Sequence, residues 1–349
     1  MDRSFFARKS TQQRVARGVA YLVLLAGSAI FIIPFLWMVS SSLKEYERIF
    51  EPGLRLIPRH NVTVEIEGRR LQTAWYAPPD GERKRVVILD ATAGIAQLAK
   101  LEGERLGERF EAPLKQVHEI SMVAPQWHNY LDAWRALPFT IFLRNTTIIT
   151  LAAILGQVLS ASVVAYAFAR LRWPGRDTLF IVVLATLMLP GQVTMIPVYL
   201  IFRELRWIDT LLPLIVPAWL GGGAMFIFLL RQFFLTIPVE LEEAARIDGA
   251  SSAAIFARIM LPLSKPILAT IAVFSFIHHW NDFMGPLIYL NSTDKMTLAL
   301  GLRVFQGTYG SDWHLMMAAS TAVLLPVLII FFFAQKQFVR SIVLTGIKG

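Results

Sequence analysis

The sequence predicts an all-α polytopic membrane protein with six transmembrane helices and a small α+β insert outside the membrane, between the first two helices. Three observations carry that prediction. The 349 residues are 55% hydrophobic and 17% charged, whereas a soluble chain carries roughly a quarter of charged residues. Charge-free apolar runs recur at residues 19–42, 145–169, 178–202, 210–230 and 315–335, and a sixth, 266–290, contains one acid, Asp282. Each is long enough to cross a hydrocarbon core about 30 Å thick at about 1.5 Å per residue.

The same composition excludes several function classes. There is no cysteine, so disulfides, thiolate metal sites and cysteine nucleophiles are ruled out, and no metal site is expected. The formal charge of +9 does not mark a nucleic-acid binder. Its basic residues flank the apolar runs and do not line one soluble face.

Taken in order, residues 1–18 form a cytoplasmic segment rich in Arg3, Arg8, Lys9, Arg14 and Arg17. The run at 19–42 that follows is too long for a signal peptide. It leads through Ser40, Ser41 and Ser42 into Lys44 without a small-residue cleavage site, so it reads as a retained anchor. Orientation follows from Lys and Arg near the helix ends. Arg170, Arg172 and Arg176 face one acid, Asp177, and Lys336, Arg340 and Lys348 face none. On the other side Arg203 and Arg206 are offset by Glu204 and Asp209, and Lys295 and Arg303 by Asp294 and Asp312. Both termini are therefore expected in the cytoplasm, the second as a tail at 339–349.

Residues 43–144 fall outside the membrane in this scheme, and about 59–124 carry the insert. Val62, Val64 and Ile66 alternate with polar residues, Gly68-Arg69 suggests a turn into 71–76, and 86–89 reads as a further strand. Residues 95–110 look helical. His60 and His118 read as lone surface or packing histidines, and no catalytic constellation is visible in the insert.

The core at 145–338 holds the other five spans and one informative loop, residues 238–262, on the cytoplasmic side. Pro238 suits a first helical turn, and Glu240, Glu242 and Glu243 sit near the positive end of the helix dipole. Ala244 and Ala245 offer a bare face, and Gly249 suits the left-handed residue that ends a helix. A second helix, 252–260, should stop before Pro262. The result is a rigid helix–turn–helix shaped to enter a groove on a partner.

The run Glu243-Ala244-Ala245, then Asp248-Gly249, then Ile259-Met260-Leu261-Pro262 resembles the EAA signature of membrane subunits of bacterial ABC importers. Other stretches resemble maltose-type carbohydrate permeases: Ser42-Leu43-Lys44, Pro190-Gly191-Gln192 with Ile196-Pro197, Leu230-Arg231-Gln232-Phe233-Phe234, Trp280-Asn281-Asp282-Phe283, and the ending Gly346-Ile347-Lys348-Gly349. The resemblance covers residues 20–58 and 125–349; at 59–124 the chain departs from the family's much shorter link. It implies the fold of a type I ABC importer permease and a set of partners. These are a second permease subunit, two ABC ATPase subunits, an extracytoplasmic solute-binding protein, a carbohydrate substrate and the lipid bilayer. ATP and Mg would be used by the ATPase subunits, since this chain has no phosphate-binding loop of its own, and it would bind no cofactor. Glu243, Ala244, Ala245, Asp248, Gly249, Ile259, Leu261 and Pro262 would then couple the pathway to the motor.

Within the spans the polar candidates are Gln192, Thr194, Asn281 and Asp282. Gln192 and Thr194 lie between Pro190 and Pro197, which weaken the helical ladder. Their neutral groups suit either sugar hydroxyls or helix–helix hydrogen bonds. Asp282 is an acid at membrane depth, four residues from His278 and so on the same helical face. It is placed either to line the pathway or to hold the bundle. Gly221-Gly222-Gly223 reads as a close-packing or flexible point. Two alternatives stay open: the same machinery with glycerol-phosphate, a polyol or another solute as cargo, and a membrane-anchored sensor or enzyme whose external domain does the work.

Overall fold

The first apolar run is a single helix, α1 (Arg3–Ser42), continuous through Pro34. In the computed structural model none of its most apolar stretch is buried by the rest of the chain. Its last carbonyl is nonetheless capped: Asn129 Nδ2 donates to Ser42 O, a group that a helix end leaves unpaired, and to Lys44 O just beyond the helix, both at 2.9 Å. The structure describes residues 3–346 except 52, 54, 67–68, 79–81, 93, 103–104 and 308–309. The expected turn residue Gly68 and the expected ending at Ile347, Lys348 and Gly349 lie outside the described residues.

The chain divides into two units, residues 1–133 with 312–321, and residues 134–311 with 322–349. In the first unit the insert is built from eight strands: β1 (Arg59–Asn61), β2 (Thr63–Ile66), β3 (Arg69–Tyr76), β4 (Lys84–Thr92), β5 (Ile95–Glu102), β6 (Arg105–Pro113), β7 (Val117–Glu119) and β8 (Ser121–Val123). Strands β2 to β6 form an antiparallel meander in sequence order, with β7 alongside β3. Strands β1 and β8 pair with each other, Arg59 opposite Val123, so the two ends of the insert leave side by side. At the centre of the sheet the alternation gives way to residues buried in succession, Thr73 with Ala74, Val86 with Val87 and Leu98 with Ala99. Ala74, Val86, Ala96, Leu98 and Ala112 are buried on one face, with Tyr76, Ile88, Phe110 and Val117 packed on them.

The insert corrects one expectation: residues 95–110 are not a helix. They are β5 and the greater part of β6, paired Ile95 to Pro113 and Leu98 to Phe110. Ala, Leu, Gln, Lys and Glu favour a helix, but that preference is worth only tenths of a kcal/mol per residue. Strand β5 sits between β4 and β6, and burying Ala96 and Leu98 two residues apart outweighs it. Among its described residues the insert is thus made of strands and a short 3₁₀ turn at Leu114–Gln116, and is not an α+β domain.

The chain re-enters helical structure with α2 (His128–Ala136). It continues as α3 (Phe139–Arg170), α4 (Arg176–Ala185), α5 (Gly191–Glu204), α6 (Leu212–Trp219), α7 (Ala224–Thr236), α8 (Glu240–Ile247), α9 (Ser252–Ile255), α10 (Leu261–Leu263), α11 (Lys265–Trp280), α12 (Met284–Tyr289), α13 (Leu298–Leu302) and α14 (Trp313–Gly346). Among the described residues four helical stretches are long and apolar enough to cross a bilayer: Ala16–Ser42, Phe139–Arg170, Leu212–Thr236 and Trp313–Gln335. Two further stretches qualify only as bent pairs. Arg176–Met188 and Gly191–Glu204 meet at 102°, and Ser252–Leu263 and Lys265–Trp280 at 77°.

The second bend precedes the expected run at 266–290, and the expected straight runs at 178–202 and 266–290 are each interrupted within their length. The first breaks at Leu189 and Pro190, whose extended backbone opens α5; Pro197 sits inside α5 without breaking it. The second ends at Trp280, and a new short helix begins at Met284.

Helix α3 is the hub of the second unit, packing against α6, α7 and α11. Small residues set the spacing, as they do where helices have no hydrophobic drive to associate within lipid. A Cβ on Gly156 would come within 2.4 Å of the Trp219 ring, and one on Gly222 within 2.5 Å of Ala161. Gly222 also holds φ at +71°, so both space and backbone demand glycine there.

Candidate functional site

The loop at 238–262 forms two helical pieces joined by a tight turn. Helix α8 carries Glu240, Glu242 and Glu243 in its first turn and Arg246 in its last, each sign placed to complement the macrodipole. It starts at Glu240, two residues beyond Pro238, so the proline stands outside the first turn. Gly249, at φ +81°, closes it with paired bonds: Gly249 N to Arg246 O at 3.0 Å and Ala250 N to Ala245 O at 2.9 Å. This double closure satisfies the last carbonyls and fixes the exit direction. Ser251 then caps α9, its hydroxyl accepting from Ala254 N at 3.2 Å.

The second piece does not stop before Pro262. It widens into a π turn, Phe256–Met260, where Leu261 N reaches back to Phe256 O, and continues through Pro262 to Leu263. The wide turn accommodates a residue that lacks the N–H of an ordinary helix.

Burial sorts the expected coupling residues into two sets. Glu243, Ala244, Asp248, Gly249 and Pro262 are exposed, while Ala245, Ile259 and Leu261 are half-buried. Ala245 and Ile259 pack on a core made by Phe234, Ile255, Met260 and Ile271. The outward face also holds Ile247, 87% exposed, an apolar side chain at the C-terminal tip of a helix whose Leu241 is exposed as well.

What holds the knob was not singled out from sequence. Arg170, the last residue of α3, forms an ion pair with Glu242, Nε to Oε1 at 3.0 Å, with both side chains more than 90% buried. The same guanidinium donates through Nη2 to Phe234 O and Ile237 O, the carbonyls that end α7. One arginine therefore ties α3, the end of α7 and the start of α8. Tyr166, one turn earlier, packs on Phe256 at 5.1 Å between ring centres, and its hydroxyl donates to Ser252 O at 3.4 Å. Both pieces of the loop are thus fastened to α3.

The polar candidates in the spans fall in separate places. Gln192 and Thr194 are exposed on the first turn of α5, and Thr194 Oγ1 donates to Gly191 O at 3.0 Å. Asn281 is exposed and bonds back to Ile277 O at 2.8 Å. Asp282 lies in the break between α11 and α12, where Oδ1 accepts from Gly285 N at 3.1 Å. His278 belongs to α11, which ends at Trp280, so Asp282 and His278 do not share a helical face. Among the described residues no hydrogen bond joins the two polar pairs. His60, read as a lone histidine, meets Glu45, Nδ1 to Oε1 at 2.5 Å.

A polar cluster that sequence reading missed lies on α3. Gln157 Nε2 donates to Gly222 O at 2.7 Å. Its Oε1 accepts from Ser275 Oγ at 3.4 Å and stands 3.3 Å from His279 Nε2. It joins α3, the glycine link between α6 and α7, and α11. The carbonyl freed at Gly222 is the group such a link must satisfy inside a membrane.

Comparison with known proteins agrees with this geometry. The family described as "Binding-protein-dependent transport system inner membrane component" matches residues 157–343, more than half of the chain. The arabinooligosaccharides transport system permease protein AraQ of Halalkalibacterium halodurans is 36% identical over 205 residues, 59% of this chain and 73% of that protein. The sn-glycerol-3-phosphate transport system permease protein UgpE of Pectobacterium atrosepticum is 34% identical over 244 residues, 68% of this chain and 85% of that protein. Among solved structures, a chain of a bacterial ABC transporter involved in importing the acidic polysaccharide alginate matches with a TM-score of 0.66 at 19% identity, covering 96% of this chain and 98% of that one. At that identity it is the fold that is shared. The chain belongs to the family of inner-membrane components of binding-protein-dependent transport systems, and is a permease subunit of the ABC importer kind.

Proposed function

We propose that this chain forms half of a sugar translocation pathway and is driven through the outward face of α8. In this reading it crosses the membrane six times, each bent pair counting as one span. Both termini lie in the cytoplasm, and the β insert lies outside. A second permease subunit completes the pathway, two ATPase subunits bind ATP and Mg below it, and an extracytoplasmic solute-binding protein delivers the cargo. One observation carries the coupling role: a short helix with an exposed apolar tip, Ile247, is clamped to the hub helix by a buried ion pair. A push on that tip is passed to α3 without slack. Glu243, Ala244, Asp248 and Gly249 form the docking face around Ile247, and Ala245, Ile259 and Leu261 seat it.

Sugar as the cargo is supported by the relative named for arabinooligosaccharides. The relative named for sn-glycerol-3-phosphate, with the larger aligned share, supports a phosphate ester as the second reading. Gln192, Thr194, Asn281 and Asp282 remain the candidates for pathway contacts. The deciding experiment is uptake by vesicles holding the assembled complex, with labelled oligosaccharide and labelled glycerol 3-phosphate in competition. Accumulation of the saccharide alone supports the first cargo, and accumulation of the ester alone replaces it with the second. ATP hydrolysis without accumulation of either would overturn both cargo assignments.

A further inference from the structure

Immediately beyond α1 the chain lines a cavity of about 290 Å³ with Lys44, Arg48, Glu51, Arg55 and Arg59, alongside the apolar Leu56 and Ile57. Four cations meet one lining carboxylate. Glu51 is shared between Arg48 Nε at 3.3 Å and Arg55 Nη1 at 2.7 Å. Arg48 is buried and held from the base of the insert, by Glu119 Oε2 at 3.1 Å and by Asn61 Oδ1, so its position is fixed. Lys44 is 4% exposed. Its ammonium has three N–H donors, and Arg55 O accepts one at 2.6 Å, leaving two for the cavity it lines. Among the described residues no carboxylate lies within 4.0 Å of Lys44 Nζ or of the Arg59 guanidinium. Burial pushes the Lys44 pKa down from its ordinary value, with Glu51 opposing. A bound anion would reverse that cost.

We propose that Lys44, Arg48, Arg55 and Arg59 form a binding site for an anionic phosphate group at the bilayer surface. Lys44 stands two positions beyond Ser42, the last residue of α1, at the depth at which lipid phosphates lie. Guanidinium forks match phosphate oxygens in pairs, and a lysine adds a point charge. The cavity is larger than one phosphate, and Leu56 and Ile57 give it one apolar wall beside the cations. The phosphate comes either from an acidic phospholipid or from a soluble phosphate ester. Arg59 opens β1 and Arg48 is gripped by Asn61 and Glu119, so the insert completes the site.

The test uses the full chain with its associated subunits in lipid nanodiscs. One arm holds phosphatidylcholine with a minor fraction of phosphatidylglycerol and counts co-isolated acidic lipid by native mass spectrometry. The other holds phosphatidylcholine alone and titrates glycerol 3-phosphate. The wild type should bind in one arm about tenfold more tightly than Lys44→Met or Arg59→Gln, with binding weakened by salt. The responding arm identifies the source. Arg59 is exposed, so Arg59→Gln folds even where Lys44→Met fails. Equal binding by wild type and Arg59→Gln in both arms overturns the proposal. The readout is binding and not uptake, so this outcome leaves the transport role standing.

Discussion

Arg170 and Glu242 lie 3.0 Å apart in a buried ion pair that joins the end of the hub helix to the first turn of α8. Neither side chain has water to fall back on, and the arginine also holds the two carbonyls that end α7. Breaking a buried pair from one side leaves an uncompensated charge, at a cost of about 3–5 kcal/mol.

Glu242→Ala should therefore loosen the loop and lower uptake at least about tenfold, while the double change Arg170→Met with Glu242→Met should recover part of the lost stability, the Phe234 and Ile237 carbonyls being left without their donor. Thermal unfolding of the purified chain and uptake by the assembled complex check both halves. A single variant as stable and active as wild type would remove the clamp from the mechanism.

Ile247→Glu separates docking from folding. The side chain is 87% exposed, so the change should move stability by no more than about 0.5 kcal/mol. Co-purification of the ATPase subunit should nevertheless fall sharply, because a charge would enter an apolar contact. Undiminished co-purification and uptake would place the docking face elsewhere.

Gly222→Ala should destabilise the bundle by about 2 kcal/mol or more. The added methyl would stand 2.5 Å from Ala161 in a left-handed backbone conformation. The expected sign is a lower unfolding temperature in detergent; an unchanged one would mean that α3 and the glycine link separate without cost.

Asp209 gives the pH dependence a definite sign. Its carboxylate accepts from the Ser292 hydroxyl at 2.5 Å, from Ser292 N and Asn291 N at 2.9 Å, and from Lys295 Nζ at 3.0 Å. These bonds, the Ser292 hydroxyl first, hold its pKa well below the usual carboxylate range. The folded state thus favours the ionised form. The contribution is complete above the unfolded pKa of about 3.9 and is lost as pH falls through the lower folded value. Unfolding temperatures measured downward from neutral pH should drop below about pH 4 in wild type, and less steeply in Asp209→Asn. Identical slopes would show that the carboxylate does not hold this corner.

What could be read from sequence follows the range of the forces involved. Helix α8 was legible because its signals are local: acids in the first turn and Gly249 at the end. The clamp was not, since Arg170 and Glu242 sit far apart in sequence and each resembles a surface charge beside a membrane span. Apolar runs show where the chain enters lipid but not where it bends; hydropathy runs unbroken through Leu189 while the helix stops, and at 281–283 the polar Asn281 and Asp282 mark a spot in the run without showing that the helix ends there. At 95–110 helix-favouring residues concealed a two-residue burial pattern that only the neighbouring strands reveal. Gln157 went unnoticed because a single amide in an apolar run says nothing until the carbonyl of Gly222 is placed beside it.

The pairing of β1 with β8 has a consequence for how such a chain arises. Arg59 and Val123 are cross-strand neighbours, a step of about 5 Å. A module whose two ends emerge side by side needs only a short hairpin turn in the host to replace it. It can be acquired or shed in one genetic event, with the host helices keeping their lengths and order. Arg48, which borrows Asn61 and Glu119 from the insert, and Glu45, which meets His60, would record the loss.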